Sequence, residues 1–268
     1  MCSLCPRLQP RLHASPAIVP DARVDDYGRD EALSWAVSPR VAGTSLSDLW
    51  ATTPEDQLRD LTRRSAAVMR AVHRWSPPED LATTLRHARQ LPEADALALV
   101  GALGAPTHPD HQETMVEFLR STPFMDGGLL GAASARIRAA QAALAPLPEQ
   151  DVLVHGDFTL GNILVDKGAI TAVLDFEYAR FGPATDDLAM PWIWIGQQSP
   201  GIRGGRFLDW LREDYPEPFQ VTGFAARREI AEFGFALRVC IVWPPDRPES
   251  QLTPTHPLHQ LRRLATAP

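Results

Sequence analysis

Lysine is almost absent from this 268-residue chain: Lys167 is the single lysine among 26 basic residues, and the rest are arginine. Cysteine is nearly as scarce, and three cysteines are too few for a disulfide framework. Cys2 and Cys5 have the C-x-x-C spacing of a zinc or redox pair, but no second cysteine or histidine pair lies nearby to complete a zinc site. We therefore interpret the cysteines as free thiols.

Long apolar runs and a basic excess are also missing. No run reaches the roughly 18 residues of a membrane span, and the N-terminus lacks the apolar region of a signal peptide. The net charge of -7 argues against a nucleic-acid partner, which needs a basic face, and would suit a cationic small molecule. With 44% hydrophobic residues, the chain has enough apolar side chains for a sizeable core. These features predict a soluble cytoplasmic protein with neither a membrane nor a nucleic-acid partner.

The first part of the chain carries a few strand signals and then a long helix. Apolar segments predict strands over residues 17–24 and 32–41, with a turn over 25–31 between them. A helix start follows at residues 53–56, where a threonine, a proline and two acids succeed one another. Apolar residues then recur at helical spacing to about His73.

The second half reads mainly as helices around one embedded hairpin. Apolar residues at alternating steps of three and four predict an amphipathic helix over 130–144. Three short apolar runs, at 152–154, 162–166 and 169–176, predict buried strands. The last two runs are separated by Asp-Lys-Gly, which predicts a tight hairpin turn.

Polar side chains that could take part in catalysis or metal binding cluster at the ends of these strands. The triplet His155-Gly156-Asp157 follows the first strand, Asn162 begins the second, and Asp175 closes the third. The hairpin should bring Asn162 and Asp175 to one end, beside the loop that bears Asp157. A carboxylate and an amide oxygen suit Mg²⁺, and the spare carboxylate could orient and deprotonate an acceptor hydroxyl. A purely structural hairpin with polar ends is the alternative, but it does not account for the joint spacing.

The pattern H-G-D-x-x-x-x-N, followed by an apolar strand ending in D-F-E, resembles the catalytic signature of the aminoglycoside phosphotransferase family. That family is a branch of the protein-kinase-like fold and includes antibiotic, choline and homoserine kinases. The resemblance implies that Asp157 is the catalytic base and that His155 braces the catalytic loop. It implies that Asn162 and Asp175 are the metal ligands. Asp187 resembles the aspartate that begins the next helix and hydrogen-bonds back onto the catalytic loop.

The resemblance extends upstream of the catalytic signature. The segment L-S-W-A-V-S-P-R-V resembles the hinge strand, which implies that the backbone around Ser38, Arg40 and Val41 binds the adenine. The implied fold class is α+β and protein-kinase-like. Residues 1–43 would be a remnant of the N-lobe, and residues 44–268 a mainly helical C-lobe with the catalytic β-hairpin embedded in it.

Two parts of the family's nucleotide site have no counterpart in the sequence. The family pairs the phosphates with a lysine on the third strand and covers them with a flexible loop, but no lysine precedes Lys167 and the first glycine is Gly28. We expect most of the N-lobe to be absent, through a start codon assigned too late, gene decay or genuine shortening. Because transition-state charge stabilisation is commonly worth several kcal/mol, we also expect weak or no kinase activity from the chain as it stands.

Two functions from different classes remain open. The first is an ATP- or GTP-dependent O-phosphotransferase that uses Mg²⁺ and direct in-line transfer to a small hydroxylated molecule, such as an aminoglycoside-like antibiotic, and so confers antibiotic resistance. The second is a catalytically silent homologue that only binds the small molecule. A metal-dependent hydrolase would need more ligands than the sequence offers.

Some acidic residues lie outside the motif. We expect Asp186 to be solvated, and Glu177 to lie either at a solvated strand end or near the metal. Acidic side chains predicted to meet a cationic substrate are Glu213, Asp214, Glu229 and Glu232.

Overall fold

The computed structural model describes residues 26–29, 34–37, 40–89, 95–103, 106–145, 151–197, 202–254 and 256–267. The chain divides into two compact units. Unit 1 comprises Met1–Ala88 and Gln150–Gln220, and unit 2 comprises Arg89–Glu149 and Val221–Pro268. None of the helices in the described ranges is long and apolar enough to cross a membrane.

The described strands all lie in unit 1 and form small antiparallel sheets. They are β1 (Asp26–Arg29), β2 (Ser34–Val37), β3 (Thr44–Ser45), β4 (Asp151–Val154), β5 (Ile163–Asp166), β6 (Ala169–Val173) and β7 (Arg180–Pro183). Strand β1 pairs with β2, β4 pairs with β7, and β5 lies between β3 and β6. Together with the helices, these sheets confirm the α+β class.

In the described ranges, α-helices occur in both units and are the main elements of unit 2. They are α1 (Leu46–Leu49), α2 (Glu55–Arg74), α3 (Glu79–Arg89), α4 (Ala96–Leu103), α5 (Pro109–Arg120), α6 (Gly127–Leu144), α7 (Asp186–Gln197), α8 (Ile202–Asp214), α9 (Phe224–Val242) and α10 (Pro257–Thr266). The predicted helices ending near His73 and covering 130–144 correspond to α2 and α6.

The start of the chain differs from its sequence-based prediction. The strand predicted over 17–24 lies outside the described residues, and the strand predicted over 32–41 is confirmed only at 34–37. The turn predicted over 25–31 is wrong at 26–29, where β1 pairs antiparallel with β2. Backbone pairing with a neighbouring strand outweighs the polar and glycine-containing composition that suggested a turn. The predicted boundary between residues 43 and 44 stays a prediction.

The hairpin of β5 and β6 has the predicted tight turn, which consists of two residues because Asp166 is the last residue of β5. Lys167 and Gly168 have positive φ values of 49° and 77°, as a type I′ turn requires. Strand β3 adds to the outer edge of β5 through the pairs of Thr44 with Val165 and Ser45 with Leu164. The resulting three-stranded sheet is more stable than an isolated hairpin of two strands.

The long helix α2 forms one side of unit 1. Its start carries Glu55 and Asp56 near the positive end of the helix dipole, and its cap position is Pro54, without a side-chain cap. The buried face has helical spacing and ends in His73, which is 6% exposed. A histidine at the end of an apolar helical face therefore lies inside unit 1.

Unit 2 is organised around an apolar cluster from α4, α5, α6, α9 and α10. Phe233, Leu237 and Cys240 of α9 are fully buried in it. Burial raises the pKa of the Cys240 thiol to about 12, so the thiol stays protonated and acts as a small apolar side chain. This agrees with its prediction as a free cysteine, whereas Cys2 and Cys5 lie outside the described residues.

Candidate active site

The predicted catalytic loop begins where β4 ends, at His155-Gly156-Asp157. Gly156 has a φ of +83°, and a Cβ added there would lie 2.2 Å from the carbonyl oxygen of Tyr178 and 2.6 Å from Nη1 of Arg180. Only glycine fits this backbone conformation and this close approach. The loop is therefore pressed against the segment that follows the hairpin.

His155 ties this loop to the end of β6. Its ring is fully buried, and Nε2 lies 2.8 Å from the carbonyl oxygen of Leu174. Because a carbonyl only accepts, Nε2 carries the proton, and Nδ1 accepts from the backbone N–H of Asp157 at 3.2 Å. The imidazole packs on Phe176, with ring centroids 4.3 Å apart. One side chain thus joins the loop of Asp157 to the strand that leads to Asp175.

Asn162 lies next to Asp157, at the start of β5. Its amide nitrogen donates to the backbone carbonyl of Asp157 at 2.9 Å and approaches the carboxylate oxygen Oδ2 at 3.3 Å. The nitrogen is occupied by Asp157, so the amide oxygen is the atom that suits a cation. The backbone carbonyl of Asn162 accepts from Leu174, which aligns the two ends of the hairpin.

Asp175 follows β6 in the left-handed conformation, with a φ of +67°. A non-glycine residue rarely adopts this conformation, and such strain is typical of functional sites. Burial raises the pKa of Asp175, and the nearby charges of Glu177 and Asp157 raise it further. A bound cation would relieve this concentration of negative charge.

The donor set therefore fits Mg²⁺, which takes few protein ligands and fills its shell with water and phosphate oxygens. Within the described ranges, no three histidine, cysteine, aspartate or glutamate side chains gather around one point. The magnesium site predicted from sequence needs only one carboxylate and one amide, so it is compatible with that finding.

Asp187 lies beneath the loop at the start of α7 and is 1% exposed. Its carboxylate accepts from the backbone N–H groups of His155 at 2.9 Å and Gly156 at 2.7 Å. It also contacts Nε2 of His73 at 3.0 Å. Burial by itself would raise the pKa of Asp187, but His73 and His155 lower it below its ordinary value of 3.8. The carboxylate is therefore held ionised.

Asp186 is also buried, so the expectation that it is solvated was wrong. It is 5% exposed and pairs with Nη2 of Arg180 at 2.9 Å. Arg180, itself 4% exposed, also donates to the carbonyl oxygen of Tyr178 at 3.2 Å. Sequence reasoning missed this pair because two adjacent aspartates at a helix start normally face solvent, and nothing local indicates a buried arginine.

The four acidic residues predicted to meet a cationic substrate are each paired with an arginine. Arg59 contacts both Glu213 and Asp214, Arg136 contacts Glu229 at 2.7 Å, and Arg228 contacts Glu232 at 2.9 Å. A cationic substrate would have to compete with these arginines. The predicted role of these carboxylates therefore gains no support from their surroundings.

The predicted adenine contacts are only partly described. Ser38 lies outside the described residues, Arg40 is exposed and Val41 is half-buried just before β3. The structure thus brings together His155, Asp157, Asn162 and Asp175, with Asp187 beneath them. The roles of these residues stay predictions, as does that of the hinge.

The family model described as the phosphotransferase enzyme family matches residues 6–220 of the chain. The chain therefore belongs to this family, as its catalytic signature indicated.

Two kinds of curated relative are similar to this chain. Hygromycin-B 4-O-kinase of Escherichia coli is 28% identical over 188 residues, which cover 68% of this chain and 50% of that protein. Aminoglycoside 3'-phosphotransferase of Escherichia coli is 32% identical over 60 residues, or 22% of each chain. The chain thus spans about half the length of the first relative, or less for the second.

Solved structures show the same fold. Aminoglycoside phosphotransferase APH(4)-Ia, in a ternary complex with ADP and hygromycin B, matches with a TM-score of 0.58 and 22% identity, over 88% of this chain and 73% of that chain. Aminoglycoside 2'-phosphotransferase-IIIa, in a GDP complex, matches with a TM-score of 0.62 and 15% identity, over 97% of this chain and 82% of that chain. These similarities confirm the kinase-like fold.

Proposed function

We propose that this chain carries the catalytic loop and metal site of an O-phosphotransferase that moves the γ-phosphoryl group of ATP or GTP to a hydroxyl of an aminoglycoside-like antibiotic. The observation that carries the proposal is the convergence of Asp157, Asn162 and Asp175 at one end of the hairpin. Membership of the phosphotransferase family supports it, as do relatives in complex with nucleotides and aminoglycosides.

Asp157 is the proposed base. Its carboxylate orients the acceptor hydroxyl and takes the proton as the acceptor oxygen bonds to the γ-phosphorus. The bond from that phosphorus to the bridging oxygen breaks in the same step, so the nucleoside diphosphate leaves and no covalent enzyme intermediate forms. The amide of Asn162, within 3.3 Å of the carboxylate, helps to orient the base.

Asn162 and Asp175 are the proposed ligands of Mg²⁺. When bound, the ion neutralises charge on the β- and γ-phosphates. Asp175 fits this role because burial and its acidic neighbours raise its pKa, so that a cation stabilises its ionised form. Ser38, Arg40 and Val41 remain the proposed adenine contacts.

The variant Asp157→Asn tests the base while keeping the size of the side chain. We expect acceptor-dependent ADP release, measured in a coupled assay with hygromycin B and kanamycin, to fall by about 10²–10⁴-fold. The proposal requires that ADP release by the parent chain depend on both the acceptor and Asp157, whether the absolute rate is high or low. Calorimetric titration with the same antibiotics should give unchanged affinity.

Asp246→Asn is the matched control, because Asp246 lies in unit 2 and pairs with the adjacent Arg247. Its ADP release should equal that of the parent chain. Equal turnover in the parent and Asp157→Asn chains would contradict the proposed base. Antibiotic binding without acceptor-dependent ADP release in the parent chain would instead favour the silent binding homologue.

A further inference from the structure

Beneath the catalytic loop, the side chains of Tyr215, His73 and Asp187 form a buried chain of hydrogen bonds. The hydroxyl of Tyr215 lies 2.9 Å from Nδ1 of His73, and Nε2 of His73 lies 3.0 Å from Oδ2 of Asp187. All three residues are 6% exposed or less. We propose that Tyr215 is a positioning residue that holds the imidazole of His73 in the orientation in which Nε2 supports Asp187 against the predicted catalytic loop.

The direction of the hydrogen bonds follows from the chemistry of the three groups. The ionised carboxylate of Asp187 only accepts, so Nε2 of His73 has to donate. In a neutral imidazole the other nitrogen then accepts, and the hydroxyl of Tyr215 has to donate to it. Asp187 thus sets the tautomer of His73, and the phenol holds the remaining ring nitrogen in place.

Tyr215 is suited to be a constant donor. Burial raises its pKa to about 12, with a further contribution from Glu217 and an opposing effect of Arg70. The phenol therefore keeps its proton at neutral pH and can donate to Nδ1 of His73.

The Tyr215 ring is itself held in place at the end of α8. The guanidinium of Arg70 lies over the ring, 4.6 Å from its centroid, and donates to the carbonyl oxygen of Asp214 at 2.5 Å. The backbone N–H of Tyr215 donates to the carbonyl oxygen of Leu211 at 2.8 Å. The hydroxyl consequently points at His73 from a fixed position.

The consequence for the loop passes through Asp187. Its two carboxylate oxygens hold the backbone N–H groups of His155 and Gly156, directly before Asp157. If the imidazole of His73 turned away, Oδ2 of Asp187 would lose its hydrogen bond from Nε2. Asp187 would then shift, and the backbone that precedes the base would loosen.

The variant Tyr215→Phe removes only the hydroxyl. In ¹⁵N NMR of the histidine rings, with His73→Gln used to assign the signals, the parent chain should show a single His73 tautomer protonated at Nε2. In Tyr215→Phe the tautomer should persist, because Asp187 still requires it, but the Nδ1 resonance of His73 should shift to that of a nitrogen that accepts no hydrogen bond. The backbone amides of His155 and Gly156 should also exchange with deuterium faster in this variant, because their acceptor is less well held.

Phe207→Leu is the matched control for general destabilisation. Phe207 is fully buried in unit 1 and packs edge-on against Trp50, with ring centroids 5.6 Å apart. This substitution should lower the melting temperature at least as much as Tyr215→Phe, yet leave the Nδ1 resonance of His73 unchanged. The spectrum thereby separates positioning from loss of stability.

The expected effect on the rate of phosphoryl transfer rests on the proposed function. The NMR measurement and the hydrogen-exchange measurement do not. Where the parent chain turns over, Tyr215→Phe should lower kcat roughly tenfold with KM unchanged, as expected for the loss of about one net hydrogen bond. An unchanged His73 spectrum, or unchanged exchange at His155 and Gly156, would overturn the inference whether or not the chain is an active kinase. Failure of the phosphotransferase proposal alone would appear as absent ADP release with both structural readouts as expected.

Discussion

Unit 1 buries ionisable side chains around the catalytic loop, whereas unit 2 buries an apolar cluster from five helices. Among the described residues, the buried aspartates and the buried arginine all lie in unit 1: Arg180, Asp186 and Asp187. In the described part of unit 2, the buried polar residues are His111, Gln112 and Ser134. Gln112 is satisfied in part by backbone carbonyls, donating to Pro106 at 2.9 Å and to Ile230 at 2.7 Å.

The difference shows which interactions fix the structure of each unit. Buried charges fix geometry only if each has its partner, since an unpaired one costs several kcal/mol. Apolar packing tolerates more variation, because its contacts are many and individually weak. A reaction centre that needs fixed angles therefore belongs with the charges of unit 1.

The largest effect should come from breaking the buried pair in unit 1. Asp186→Ala leaves the cation of Arg180 without its carboxylate, and we expect a loss of about 3–5 kcal/mol in the free energy of unfolding. Urea denaturation followed by circular dichroism measures it. The double variant Arg180→Met with Asp186→Leu removes both charges and should recover most of the loss. A double variant as unstable as Asp186→Ala would contradict this account.

A slightly smaller loss is expected in the apolar cluster of unit 2. Leu237→Ala leaves a cavity at a fully buried position, which should cost about 3 kcal/mol. Leu97→Ala is the same change at a leucine of unit 2 that is 58% exposed, and it should have almost no effect on stability. Hydrogen exchange followed by mass spectrometry should locate the lost protection in α9. Equal costs for the two leucines would show that burial is not the source of the stability.

The smallest effect is a dependence of stability on pH that Asp187 of unit 1 should contribute. The pKa of Asp187 is lower in the folded chain than in the unfolded chain, so its ionisation stabilises the fold above the ordinary value of 3.8. That stabilisation disappears as the pH falls through the folded pKa. The destabilisation caused by Asp187→Asn at pH 7 should therefore shrink below about pH 4, as urea titrations at several pH values would show.

Leu237→Ala is the reference for this measurement, because it removes no ionisable group. Its cost in unfolding free energy should stay the same over the pH range in which the cost of Asp187→Asn shrinks. If both costs change together, the acid sensitivity does not come from Asp187.

Local patterns predicted much of the fold and part of the site. The helical spacing that ends near His73, the apolar periodicity over 130–144 and the two-residue turn at Lys167 all have a short-range cause. The grouping of Asn162 with Asp175 was predictable too, because a hairpin of known turn length places its two ends side by side.

Sequence-based prediction was wrong, or made no statement, where contacts between distant segments determine the local structure. Strand β1 forms in a segment that composition alone reads as a turn, because β2 supplies its partner. The burial of Asp186 depends on Arg180, which faces it only when β7 and α7 fold together. The partner of His73 in this network, Tyr215, lies 142 residues along the chain.

By itself, the sequence determined the class of the fold, the catalytic signature and the identity of the groups that could act on a phosphate. These follow from spacing along the chain, which needs no knowledge of distant partners. Only the tertiary structure decided which polar groups are buried and what each one contacts. Burial and pairing depend on segments far apart in sequence, and these properties fix the ionisation of Asp187 and the orientation of the loop that carries Asp157.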